Sequence, residues 1–125
     1  HDPYHGVQPF RDHLTSLLAI AQVRRIPVLL STHVVNRDEP SKRQVAAIDE
    51  INGVTRSLAD ESRGVHFADA DAEIPGSNEL MYDICHFRTD RDGEQRLIDL
   101  FARTIRLHMS DWIAERGRQI ASGGE

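Results

Sequence analysis

Ile26-Pro27-Val28-Leu29-Leu30-Ser31-Thr32 is a short, continuous apolar run that ends in two hydroxyl residues. It is too short for a helix, and a strand covered on both faces reads this way, as in parallel sheets flanked by helices. Pro27 belongs at its start, where a missing N–H does least harm. Upstream, Phe10, Leu14, Leu17, Leu18 and Ala21 recur at spacings of three and four, which predicts an amphipathic helix over about 9–24. Pro9 suits its first turn.

Downstream, a polar loop over 32–42 carries His33, Asn36, Asp38, Glu39 and Pro40. A second helix is predicted over about 43–62, with Val45, Ile48, Ile51, Thr55, Leu58 and Ala59 as its inner stripe and Arg63-Gly64 at its end. Residues 65–69 read as a second short strand and 70–82 as a polar loop around the turn signal Pro75-Gly76-Ser77-Asn78. A single long helix is predicted over about 91–117, its stripe running from Leu97, Ile98 and Phe101 through Ile105 to Trp112 and Ile113, the last two expected to pack on the sheet's outer face, with an oligomer contact as the alternative. Residues 1–119 are expected to form one domain part and 120–125 a flexible tail.

Helix, strand, helix, strand, helix is the order of a parallel α/β layer. Sheets average about five or six strands, and two would leave the apolar inner run over 26–32 with an unpaired edge. The expectation is therefore the C-terminal part of a larger sheet, with its other strands upstream or in a companion chain.

Composition narrows the function classes. The 125 residues are 39% hydrophobic and 28% charged, an ordinary composition for one domain, and the net charge of −5 argues against a general nucleic-acid binder. No apolar stretch is long enough to cross a bilayer. One cysteine excludes an internal disulfide, and the compartment stays undetermined.

Asp83-Ile84-Cys85-His86 carries the chemistry. A carboxylate and an imidazole three positions apart on a turn face the same way, so Asp83 can hold the Nδ1 proton of His86 and leave Nε2 free to take a proton from a nucleophile. No Ser stands in a Gly-x-Ser-x-Gly or Gly-Asp-Ser turn, so the nucleophile is missing from these residues. The bland alternative is that Asp83 caps a turn and His86 is a surface residue.

This Asp-x-x-His, after the last strand and before the last helix, resembles the final motif of the SGNH hydrolases, the GDSL-type esterases and lipases. The resemblance extends from about Val7 to Leu107 and includes Gly93 at the start of the last helix, seven positions after His86, where the family's spacing is commonly five. It implies the C-terminal part of a flavodoxin-like three-layer α/β/α sandwich with a parallel sheet. It also implies hydrolysis of an acyl ester, O-acetyl or short acyl, on a small molecule or glycan. Asp83 would orient and stabilise, His86 would act as base and then acid, and no cofactor or metal would be needed. The serine and the oxyanion-hole residues would come from the N-terminal half of the domain, so these residues alone are expected to be inactive.

Other residues admit further readings. His33 and Ser31, at the C-terminal end of the first strand, are candidate substrate-binding residues, because open α/β sheets bind ligands at that edge. With Asp69 and Asp71 beyond the second strand, His33 also allows a metal-dependent hydrolase, although no His-x-His or His-Glu-x-x-His spacing is present. His1, Asp2 and His5 invite either a metal or a pocket role. Cys85 is expected to turn inward as a small packed hydrophobe. A non-catalytic α/β interaction module with a structural Asp83–His86 pair remains the alternative of a different class.

Overall fold

Residues 6–123 are described by the computed structural model, which leaves His1, Asp2 and His5 outside the described residues. The elements run α1 (Gln8–Val23), β1 (Val28–Ser31), α2 (Lys42–Glu61), β2 (Val65–Ala68), α3 (Ala70–Glu73), α4 (Gly93–His108) and α5 (Ser110–Ala121). The chain is a mixed α/β structure with one two-stranded parallel sheet, Val28 opposite Val65 and Ser31 opposite Ala68.

Alternation along the strands sends successive side chains to opposite faces. Phe67 lines the same hollow as Arg56, Ser57 and Ala59 of α2, while His66 stacks on His108 of α4 at 5.8 Å. Thus α2 and α4 lie on opposite sides of β2. Two positions set the turns into this layer. Ser41 caps α2 by accepting from the Gln44 N–H at 3.4 Å. Gly64, at φ +70°, lets the chain leave α2 and enter β2, and its carbonyl accepts from the Val28 N–H at 3.0 Å.

The core sits at the C-terminal end of the strands. Val34, Ala68, Ala70, Ile74, Leu80, Met81 and Leu100 form it, with Leu29, Phe87, Leu97 and Phe101 packed against it. Of these residues only Leu29 and Ala68 come from the strands, and the others come from the loops after them and from α3 and α4.

Several expectations need correction. The predicted single helix over 91–117 is two helices, broken at Met109, where φ is −121° and ψ is 0°. The apolar period passes through the break, so periodicity could not register it. α5 buries no residue, and Trp112 and Ile113 stay 44% and 47% exposed, Trp112 lining a hollow with Ile26, Pro27 and Gly64 beside the starts of the strands. α5 also runs to Ala121, so the expected tail from 120 begins inside a helix. The short helix α3 occupies the start of the predicted polar loop, capped by Asp69 accepting from the Ala72 N–H at 3.3 Å. In α1 only Leu18 of the expected stripe is buried, and Leu17 is 63% exposed. β1 is half-buried along its length, and among the described residues one of its edges has no partner strand, where the sequence reads as an interior strand.

Candidate functional site

The segment between α3 and α4 closes on itself. The Leu80 and Met81 N–H groups both donate to the Ser77 carbonyl, Met81 bridges Phe87 in antiparallel fashion, and the Tyr82 N–H donates to the His86 carbonyl at 3.1 Å. Residues 82–86 therefore form a tight loop whose two ends are tied together.

Inside that loop one carboxylate does two jobs. Asp83 Oδ1 accepts from the N–H of Cys85 at 2.9 Å and of His86 at 2.7 Å, and Oδ2 lies 2.7 Å from His86 Nδ1. The Cys85 N–H is the largest of the interactions that hold the Asp83 carboxyl below the usual carboxylate range, and the His86 ring and N–H add to it. An ionised carboxylate can only accept, so Nδ1 carries the proton in this contact, and in the neutral ring Nε2 is then the nitrogen with the lone pair. Among the described residues nothing bonds to Nε2, and the His86 side chain is 62% exposed with Tyr82 stacked beside it at 5.7 Å.

The loop is anchored from below by Asn36, which is buried at 1% exposure. Its Nδ2 donates to Asn78 Oδ1 at 2.8 Å and to the Asp83 carbonyl at 3.2 Å, and its own N–H donates to the Ile84 carbonyl at 2.9 Å. Gly76 makes the close crossing this needs, since a Cβ there would stand 1.9 Å from the Val35 carbonyl oxygen. On the other side, a Cβ at Gly93 would meet the Phe87 ring at 2.5 Å. The glycine at the start of α4 thus lets the helix sit on the residue that follows His86, and the seven-residue spacing is accommodated by the turn over 88–92.

A cavity of about 230 Å³ adjoins the loop, lined by Ser31, Thr32, His33 and Val34 from the end of β1, by Cys85 and Phe87, and by Leu97 and Phe101 of α4. The structure thereby brings Ser31 and His33 to the same hollow as Cys85, one position from His86. Ser31 Oγ donates to the Thr32 carbonyl at 2.9 Å. Asn52, fully buried on α2, grips the His33 backbone by accepting from its N–H at 2.8 Å and donating to its carbonyl at 2.9 Å, which leaves the ring exposed.

Asp69 and Asp71 go elsewhere. Asp69 receives Arg56 Nε and Nη2 at 2.9 and 3.0 Å and Thr32 Oγ1 at 2.8 Å, contacts led by Arg56 that hold its carboxyl below the usual range. Asp71, with a side chain 6% exposed, receives Arg37 Nη2 at 2.6 Å and the Val35 N–H at 3.2 Å. Their oxygens serve arginines and the loop backbone, so they make no metal site with His33.

Cys85 also departs from expectation. It is exposed and not a packed hydrophobe, although it also borders the hollow beside Phe87, Leu97 and Phe101. Its Sγ lies 3.5 Å from His86 Nδ1, and partial desolvation together with the Asp83 charge pushes the thiol pKa up. Ligand atoms of Asp83, Cys85 and His86 all lie within 4.8 Å of one another, and among the described residues these three are the set that could hold a metal ion.

Asn36 and Asn52 were the residues sequence reasoning passed over. The available signal was an amide within an apolar stretch, Val34-Val35-Asn36, and on the inner face of a helix, because buried amides must find partners. Among the described residues no helix is long and apolar enough to cross a membrane. In comparison with known proteins, no family model, curated protein or solved structure matches this chain.

Proposed function

We propose that this chain is the C-terminal part of an SGNH-type serine ester hydrolase, within a flavodoxin-like three-layer α/β/α domain, and that it supplies Asp83 and His86 to a Ser-His-Asp triad. The observation that carries the reading is the 2.7 Å contact between Asp83 Oδ2 and His86 Nδ1, with Nε2 exposed and unengaged among the described residues. That tautomer is the one a general base requires.

In this reading, His86 Nε2 takes the proton of a serine hydroxyl brought by the N-terminal half of the domain. The alkoxide attacks the ester carbonyl, and His86 returns the proton to the leaving alcohol. Water then enters by the same route in reverse and frees the acid. Asp83 stays ionised throughout and steadies the imidazolium. The open edge of β1 is where the remaining strands would pair, and the hollow beside Ser31 and His33 would take the substrate. At about 230 Å³ it has room for an acetyl or short acyl group.

The test is labelling by a fluorophosphonate of a protein that carries this chain with its proposed N-terminal half. A serine adduct that His86→Ala abolishes is the expected outcome. No adduct from a folded protein would overturn the reading in favour of an interaction module, and loss of labelling on adding a chelator would favour a metal-dependent hydrolase.

A further inference from the structure

We infer that Asp83, Cys85 and His86 form a site for a soft divalent cation of the zinc type, which switches the His86 base off when it binds. Three donor kinds that zinc accepts converge here: a carboxylate oxygen, a thiol sulfur and an imidazole nitrogen. The distance from Cys85 Sγ to His86 Nδ1 is 3.5 Å. Two ligands at zinc–sulfur and zinc–nitrogen bond lengths, held at the tetrahedral angle, stand about 3.6 Å apart, so that edge of the polyhedron is already in place. The nitrogen–oxygen edge would be about 3.3 Å by the same construction. The 2.7 Å between Nδ1 and Asp83 Oδ2 must therefore widen a little, and both side chains have the freedom, being 62% and 41% exposed.

The loop also keeps the carboxylate in position while the metal enters. Asp83 Oδ1 is held by the Cys85 and His86 N–H groups, and only Oδ2 faces the ring. Oδ2 is the oxygen left to bind. The fourth coordination position stays open to water.

Proton accounting gives the consequence. The cation displaces the thiol proton to solvent, and the Nδ1 proton is lost while Nε2 takes one up from solvent, so one proton is released in all. The imidazole stays neutral, with its single proton now on Nε2. Nε2 can no longer accept a proton from a nucleophile. Metal on this side of the ring thus imposes the tautomer opposite to the one that the Asp83 contact selects. The binding stands on geometry alone, whereas the inhibition rests on the esterase reading above.

The direct test is titration of the 125-residue chain with Cd²⁺, whose thiolate complexes absorb in the ultraviolet by charge transfer. One saturable equivalent of this absorbance is expected, lost in Cys85→Ser. His86→Gln, which leaves the N–H groups on Asp83 Oδ1, should weaken binding by about tenfold or more, as should Asp83→Asn. Histidines elsewhere in the chain would not produce a thiolate band. Absence of the band, or equally tight binding in both the His86→Gln and Asp83→Asn proteins, would overturn the site. In the assembled hydrolase, Zn²⁺ should suppress fluorophosphonate labelling, a chelator should restore it, and Cys85→Ser should remove the sensitivity whatever its own rate. Labelling indifferent to zinc while the band forms would overturn the inhibition. No serine adduct under any condition would count against the esterase reading and leave the metal site standing.

Discussion

The Asn36 side chain donates to the main-chain carbonyl of Asp83 at 3.2 Å, from a position 47 residues earlier in the chain. Together with the Asn36 N–H on the Ile84 carbonyl, this ties the loop after β1 to the loop before α4, so the residue that aims His86 is itself aimed from a different strand end.

Replacing Asn36 by Ala should leave Asn78 Oδ1 and the Asp83 carbonyl without their donor. Unfolding free energy should fall by about 1–3 kcal/mol, the cost of stranding buried polar groups. Amide hydrogen exchange at Cys85 and His86 should accelerate more than exchange in α2. Unchanged exchange in the 82–86 loop would show that Asn36 is not its anchor.

Two glycines should respond in opposite directions to the same substitution. Gly76→Ala places a methyl 1.9 Å from the Val35 carbonyl, which the two crossing loops cannot absorb without moving. A loss of about 1–3 kcal/mol is expected by analogy with overpacked cores. Gly53, in the interior of α2 with open space around it, should gain roughly 0.5–1 kcal/mol as Ala, from reduced freedom of the unfolded chain. Urea denaturation of both variants checks the pair.

Asp83 should titrate below an ordinary aspartate. Its folded pKa is depressed, first by the Cys85 N–H, so the bonds it makes contribute stability above the unfolded aspartate value and lose it as pH falls through the folded value. Carboxyl-carbon NMR across that acid range should show a lowered midpoint for Asp83, with the His86 amide shift following the same curve. A midpoint at or above about 3.9, the ordinary value, would contradict the geometry.

The bare edge of β1 should make the chain associate with itself. Val28 donates its N–H toward β2, so alternation turns the backbone polar groups of Leu29 toward the open side and those of Leu30 toward β2. Light scattering should show concentration-dependent association that Leu29→Pro suppresses, the fold surviving at lowered stability because the Leu29 side chain also packs against the core. Leu30→Pro should instead break the ladder to β2 and unfold the sheet. Identical behaviour of the two variants would refute this edge assignment.

Much of the fold was legible because it rests on local rules. Short runs too brief for a helix and period-three-to-four patterns located α1, β1, α2 and β2 to within a few residues, and Gly64 marked a turn that only a residue tolerant of positive φ enters without strain. The Asp83–His86 contact was legible for the same reason, since three residues of one turn define it. The break at Met109 was not, because the apolar stripe continues across it. Nor was the pairing of Asp69 and Asp71 with Arg56 and Arg37, which involves partners 13 and 34 residues away.

Sequence alone therefore determined the order of α1, β1, α2 and β2 and the closeness of Asp83 to His86, both of which depend on neighbours along the chain. Tertiary structure decided which polar groups were committed elsewhere: Asn36 to the loop, Asp69 and Asp71 to arginines, Cys85 to the surface beside the His86 ring. Those assignments are competitions for hydrogen-bonding partners among segments far apart in sequence, and only the packed chain sets which partner is near enough to win.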